Sequence, residues 1–339
     1  RPGWRLISAG LKQAMSPQHL TAVCPVCSER DFRIKYEKIK GVDTNRYNLI
    51  VCSGCGFGTV SPLPFTEALT HFYSAGYESR TKTNIYGHKN KEDFIQTNKS
   101  DIEDNLTLLS MLEPYRTVSH KRLLDVGCGH GFMCYAARLI GFDATGIDLD
   151  SDARRIGSAH LGVNIISGSI ADIERRDFDV VTEIMTLEHV LNPAGHISEI
   201  RDKMNIGGLY LGSVPNFGGI YSRLRGRRWY HLIPPEHVNY FTIPSLRRLL
   251  QNCGFSVLYI GTIPLYAAPT ICFGVRSRLN RLIAKQGNMV TKGLLTGLYR
   301  VLTLIKRYAV YKPLNFLILT LGLPGNGIFW IVRKDHEKK

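Results

Sequence analysis

The stretch Leu123–Phe132, LLDVGCGHGF, sets three glycines at alternate positions directly after an apolar run. Gly127, Gly129 and Gly131 fall where a short buried strand must turn into the helix GFMCYAARLIG. Glycine tolerates backbone angles that other residues resist, and it lets a ligand approach the main chain closely. In a parallel sheet, ligands bind at the carboxyl ends of the strands, near the point where strand order reverses. The free N–H groups of the helix start are then expected to face the ligand. The spacing sorts the ligand. A dinucleotide site takes G-x-G-x-x-G, with the pyrophosphate on the helix N-terminus. Here the third glycine comes one place early, and Asp125 stands just before the loop. A carboxylate there repels a pyrophosphate and suits a cationic amino-acid moiety, which favours S-adenosylmethionine. Asp148 ends the next strand, where an acidic residue can accept hydrogen bonds from ribose hydroxyls.

Outward from the loop, the apolar strands DATGIDLD, VNIISG, FDVVTEI, GGLYLGSVPN and FSVLYIG alternate with the helices SDARRIGSAH, NPAGHISEIRDKM and IPSLRRLLQNCG. Alternation of this kind predicts an α/β fold, a doubly wound parallel sheet covered on both faces. A last strand is expected at IFWIVRK, 328–334. Upstream, residues 64–75 read as a short helix. Residues 90–115 read as one longer amphipathic helix, with Ile102, Leu106, Leu109 and Leu112 on one face and Pro114 at its end.

The ordered set of strand, Asp125, three glycines, helix, strand and Asp148 resembles the class I S-adenosylmethionine-dependent methyltransferases. LLDVGCGHG looks like their first motif, GIDLD their ribose-binding acid, FDVVTEIMTLEHVLNP their fourth-strand motif and GGLYLGSVPN their fifth strand. The resemblance covers 120–262 and resumes at 328–334, where that family has an antiparallel seventh strand. It implies a seven-stranded, mostly parallel sheet. The third strand of the family usually ends in an acidic residue near the adenine. Here the chain reads Gly168-Ser169-Ile170, so Ser169 would hydrogen-bond the adenine and Ile170 would pack on it.

Cys24-Pro-Val-Cys27 and Cys52-Ser-Gly-Cys55 are separated by twenty-four residues. Two such knuckles make a tetrahedral four-thiolate site that suits structural zinc and leaves no open position for catalysis. A zinc ribbon followed by SPLPFTEALTHFYSAGY and this core resembles the bacterial methyltransferases of sugar and surface-glycan biosynthesis, including deoxysugar C-methyltransferases. In that group the N-terminal module folds over the active site, and Tyr77 would then reach the substrate or pack under the ribbon. The domain organisation expected is a zinc-ribbon module at 1–62, a helical linker or lid at 63–119, the cofactor-binding core at 120–262, a basic helical insertion at 263–327, and the last strand and tail at 328–339.

Methyl transfer to a hydroxyl requires an in-line acceptor and removal of a proton. Two Glu-His pairs follow strand ends: Glu188-His189, and Glu236-His237 in WYHLIPPEHVNYF. A neutral imidazole is a suitable base near neutral pH. PPEHVNYF is similar to a segment that carries a catalytic Glu-His pair in deoxysugar C-methylating enzymes, which ranks His237 first as general base, with Glu236 beside it, and His189 second.

The chain has 339 residues and a formal net charge of +15. From His237 to Lys334 there is no Asp or Glu and there are thirteen Lys or Arg. That excess points to an anionic neighbour. Within 275–312, a leucine-rich amphipathic segment edged by Lys292, Arg300, Lys306 and Arg307 suits either an anionic membrane surface or a substrate lid or dimer interface. No secretory leader or membrane-spanning run is visible, so a cytoplasmic protein is expected, peripheral on the inner face of the membrane where 275–312 docks it. The favoured acceptor is a saccharide, nucleotide-linked, lipid-linked or part of a surface glycan. RNA methylation fits the zinc ribbon and basic surface, but the basic segment is unusually leucine-rich for nucleic acid. A non-catalytic cofactor-binding scaffold is the third reading.

Overall fold

A computed structural model describes residues 23–43, 45–64, 90–117, 119–263 and 324–336. The expected helix at 64–75, Tyr77 and the basic segment 275–312 lie outside the described residues. Among the described residues, no helix is long and apolar enough to cross a membrane.

The seven-stranded sheet contains β4 (Arg122–Val126), β5 (Asp143–Asp148), β6 (Asn164–Ser167), β7 (Phe178–Ile184), β8 (Met204–Pro215), β10 (Ser256–Ile263) and β11 (Gly327–Arg333), in the order β10-β11-β8-β7-β4-β5-β6. Strands β8, β7, β4, β5 and β6 run parallel, and β11 is antiparallel to both β8 and β10. The chain therefore steps from β4 to β5 and β6 on one side, then crosses to β7 on the other. The switch point, where a ligand crevice forms, lies between β4 and β7.

Successive side chains of a strand point to opposite faces. On β4, Leu124 and Val126 pack with Val181, Ile197, Leu246 and Trp330, while Leu123 packs on the opposite face with Cys134, Ile156, Val180 and Phe329. A sheet buried on both faces explains why its strands read as apolar runs rather than alternating ones.

The covering helices are α1 (Lys91–Thr97), α2 (Lys99–Ser110), α3 (Phe132–Leu139), α4 (Ser151–Leu161), α5 (Pro193–Asp202), α6 (Ile220–Arg225) and α7 (Ile243–Asn252). The single helix expected over 90–115 is thus two helices. Asn98 breaks it: its φ of −105° and ψ of 20° leave the helical region, and its side-chain Nδ2 donates to the Phe94 carbonyl at 2.8 Å. Ile102, Leu109 and Leu112 are buried as expected, whereas Leu106 is only partly covered and Leu108 takes a core place.

The cysteine module contributes β1 (Phe32–Lys40), β2 (Arg46–Cys52) and β3 (Gly58–Ser61), an antiparallel sheet. Its fourth strand is β9 (Asn239–Tyr240), which comes from the PPEHVNYF loop of the core. The Thr59 hydroxyl donates to the Val238 carbonyl at 3.0 Å, Asn252 Nδ2 to the Val26 carbonyl at 2.8 Å and the Val42 amide to the Pro234 carbonyl at 2.8 Å, which stitch the module to the core.

Candidate functional site

At the carboxyl ends of β4, β5, β6 and β7 lies a cavity of about 520 Å³, a size usual for small-molecule sites. Val126, Ile147, Ile170, Val190 and Leu191 supply apolar walls; Gly127, Gly129, Asp148, Ser169 and His189 also line it. Six sequence-predicted residues therefore meet in one space: Gly127, Gly129, Asp148, Ser169, Ile170 and His189.

The loop is built by backbone angles that glycine alone adopts cheaply. Gly127, Gly129 and Gly131 have φ of +69°, +50° and +78°. A Cβ on Gly127 would sit 2.2 Å from Thr186 Oγ1, so the loop also presses against the end of β7. Gly131 acts elsewhere. It precedes α3, and a Cβ there would meet Val163 at 2.7 Å, so it sets helix-to-strand packing and is not on the cavity wall.

The amides of the glycine loop have partners within the protein. The Gly127 and Cys128 amides donate to the Ile147 carbonyl, Gly131 to the Cys128 carbonyl, and Gly129 to Asp148 Oδ2 at 2.8 Å. These donors are spent holding the loop, which serves a ligand by shape. Asp148 also accepts from the Asp150 amide at 2.8 Å through Oδ1. Asp125 stands at the end of β4, directly before the loop. It is buried behind the loop, away from the cavity lining, and accepts from the Thr182 hydroxyl at 2.7 Å. Burial pushes its carboxyl up to about 7 against the Thr182 hydrogen bond, with the Asp148 and Glu183 charges adding. Ser169 lines the cavity, but its hydroxyl and amide both bond Asp172 Oδ2, at 3.0 and 2.7 Å, which fixes the turn that presents Ile170.

His189, also on the cavity wall, follows β7 in a short 3-10 turn. Its Nδ1 contacts the main-chain carbonyl of Glu236 at 2.7 Å. Glu236 therefore meets His189 through its backbone. His237 lies behind His189, with ring centroids 4.8 Å apart, and is itself buried. His231 stacks on His237 at 5.5 Å. Burial lowers the pKa of all three imidazoles, pulling His231 down to about 3, and the neighbouring rings lower His231 and His237 further. The sequence ranking of His237 over His189 is thus reversed in position: His189 is the histidine that reaches the cavity.

The sequence reading missed His196. Asn192 caps α5 by accepting from the Gly195 amide at 3.1 Å, and Pro193 opens the helix, which puts His196 in the first turn beside the strand ends. Its Nε2 meets Glu183 Oε1 at 2.7 Å, and the Tyr210 hydroxyl donates to Glu183 Oε2. Burial alone would lower the His196 pKa; the Glu183 charge and hydrogen bond outweigh it and raise it. His196 lines the cavity. Asn-Pro before an apolar helical pattern was the available signal.

The four cysteines fit zinc. All four Sγ atoms lie within 4.8 Å of one another, with Cys24 to Cys55 at 3.6 Å and Cys27 to Cys52 at 3.4 Å. Zn–S bonds of about 2.3 Å in a tetrahedron require sulfurs about 3.8 Å apart. The two closest sulfur pairs are within a few tenths of an ångström of that spacing.

Residues 94–260 match the family model described as a methyltransferase domain. The ubiquinone biosynthesis O-methyltransferase of Burkholderia vietnamiensis is 32% identical over 120 residues, 33% of this chain and 52% of that protein. The enzyme of the same name from Saccharophagus degradans is 33% identical over 124 residues, 32% of this chain and 52% of that protein. The chain spans about half the length of these relatives. A solved SAM-dependent methyltransferase from Archaeoglobus fulgidus is 18% identical with a TM-score of 0.44, covering 71% of this chain and 98% of that one.

Proposed function

We propose that this chain is an S-adenosylmethionine-dependent methyltransferase that methylates a saccharide hydroxyl, on a nucleotide-linked sugar or a lipid-linked or surface glycan. The observation that carries the reading is one cavity lined by the glycine loop, Asp148 and His189 together. The domain match supports the reaction class. The O-methyltransferase names of the relatives support an oxygen acceptor. The saccharide rests on the sequence resemblance of ribbon plus core to glycan methyltransferases, and the β3–β9 pairing, which ties the ribbon to the His237 loop, is consistent with it.

When bound, the cofactor supplies an electrophilic methyl on a sulfonium, which needs little further activation. Asp148 would hold the ribose hydroxyls, and Ile147 and Ile170 would flank the adenine. The Gly127–Gly129 turn admits the amino-acid tail close to the main chain. His189 takes the acceptor proton through the ring nitrogen opposite the one anchored on Glu236. His237 and His231 pack behind it and fix its plane.

The test is label transfer. Purified protein and methyl-labelled S-adenosylmethionine are incubated separately with nucleotide-sugar, membrane glycolipid, quinone-lipid and RNA fractions. Label in a sugar-containing fraction, lost in His189→Ala, is the expected result. Label confined to the quinone-lipid or RNA fraction overturns the saccharide assignment while retaining the methyltransferase.

A further inference from the structure

The stretch Ser222–Tyr230, SRLRGRRWY, places four arginines within six residues, and the proposed chemistry uses none of them. The fold pins both of its ends. Ser222 is buried, and Trp229 packs among Phe217, Leu232 and Tyr240. Between them, the end of α6 and a short 3-10 turn contribute no residue of 223–228 to the core. Leu224 is 77% exposed, and Arg223, Arg227 and Arg228 are exposed around it. An aliphatic side chain so placed among cations does nothing for the core and is available to a partner.

The stretch lies against β1, which among the described residues is an edge strand of the cysteine module's sheet. Arg227 Nη2 donates to the Glu37 carbonyl at 2.6 Å. Lys35 Nζ sits over the Phe217 ring, 4.4 Å from its centroid, and its pKa is lowered first by desolvation and then by the charge of Arg223. Two cations are thus held close enough to repel. Among the described residues, no carboxylate pairs with Lys35, Arg223, Arg225, Arg227 or Arg228. Crowded cations without counter-charges favour an anionic neighbour. The other basic stretch of sequence, leucine-rich and free of acids, ends before Pro324, where the described chain resumes. The Ile220 amide donates to the Pro324 carbonyl at 3.0 Å, and Asn326 Nδ2 to the Tyr230 hydroxyl at 3.0 Å. The chain that follows the second basic stretch is therefore fastened at both ends of the first.

We propose that residues 223–228, with Lys35 of β1, form a docking face for a bilayer that contains anionic phospholipid. The guanidinium groups match phosphate oxygens in charge and fork geometry. Leu224 enters the boundary between headgroups and acyl chains, as the apolar side of an interfacial segment does. Nucleic acid fits this face less well. Proteins that hold single strands stack bases on exposed aromatic rings, whereas Trp229 is 3% exposed and the side chain offered to solvent is Leu224. Docking here selects an acceptor carried on a lipid over a soluble nucleotide-linked sugar. That consequence rests on the proposed function; binding to the bilayer does not.

The test is flotation of the full chain with two kinds of vesicle, phosphatidylcholine alone and an equimolar mixture of phosphatidylcholine and phosphatidylglycerol. Binding to the mixed vesicles alone, weakened by high salt, is the expected result. The double variant Arg223→Gln, Arg228→Gln is expected to bind them ~30-fold more weakly, each cation at such a surface being worth about fivefold. Leu224→Ser is expected to weaken binding at least ~10-fold. These side chains are exposed, so thermal unfolding of the variants should match the wild type, which separates lost docking from lost fold. Absent wild-type binding to the mixed vesicles overturns the proposal. So does binding that neither variant reduces, which would assign docking to another part of the chain. Binding of an RNA homopolymer in place of vesicles overturns it as well. The assay contains no methyl acceptor, so its outcome leaves the saccharide assignment to the label-transfer test.

Discussion

The His189 ring stands edge-on to His237, 4.8 Å between centroids, and of the two it is His189 that lines the cofactor cavity. The proposed function therefore takes His189 as the base for the acceptor proton. His189→Ala is expected to lower kcat by ~10²–10⁴-fold and to leave cofactor affinity within a few-fold. Steady-state kinetics with a labelled methyl donor measure both. An unchanged kcat with a raised KM for the donor would assign His189 to cofactor binding instead.

Gly127 and Gly141 separate loop shape from backbone strain. Both have positive φ, +69° and +92°. A Cβ on Gly127 collides with Thr186, whereas one on Gly141 meets nothing within 4 Å. Gly141→Ala is expected to cost about 1–2 kcal/mol of stability, with cofactor binding intact. Gly127→Ala should abolish cofactor binding as well, because the loop must move off β7. Denaturation curves and calorimetry on both variants check this. Normal cofactor affinity in Gly127→Ala would show that the loop shape does not matter.

Asp125 predicts a pH dependence. Its buried carboxyl sits at about 7, above the ordinary value of 3.8. Between those values the folded chain holds more protons than the unfolded chain, so this group's contribution to stability falls as pH rises from about 4 to 7. Above pH 7 the folded state buries a charge at a cost of up to ~4 kcal/mol. Asp125→Asn, which can still accept from Thr182, should therefore gain stability relative to wild type at pH 8 and little at pH 4. Chemical denaturation at the two pH values gives the difference; a gain equal at both would refute the assignment.

The buried Glu183 is held by His196 and Tyr210. His196→Ala leaves that carboxylate unpaired, and the expected loss is about 3–5 kcal/mol. The sign with pH follows from the raised His196 pKa. The pair's contribution is complete below the ordinary histidine value of 6.5 and is lost as pH rises through the higher folded value. The wild-type advantage over His196→Ala should shrink from pH 6 to pH 9. A gap that widens over that range would contradict the pairing.

The sheet order and the cofactor end of the cavity were legible because local sequence determines them. Strand, glycine turn, helix and a strand ending in Asp148 leave little freedom once βαβ handedness is imposed. What was not legible depends on contacts between distant segments. Nothing near Asp125 says that Thr182, from β7, will hold it inside. Nothing in GCGHG says that the loop amides will be consumed by Ile147 and Asp148. The Glu-His repeats at 188–189 and 236–237 were visible, but their nesting, with one histidine behind the other, is set by β9 joining the cysteine module. His196 carries no motif; its place follows from the cap of α5 and from a glutamate thirteen residues earlier.

The most direct measurement is calorimetric titration of S-adenosylmethionine into the full chain and into Asp148→Ala. The account predicts saturable one-to-one binding, weakened at least ~10-fold by Asp148→Ala through loss of the ribose contacts and of the Gly129 anchor. Absent binding by the wild-type chain, or equal binding by the variant, would contradict the placement of the cofactor in this cavity.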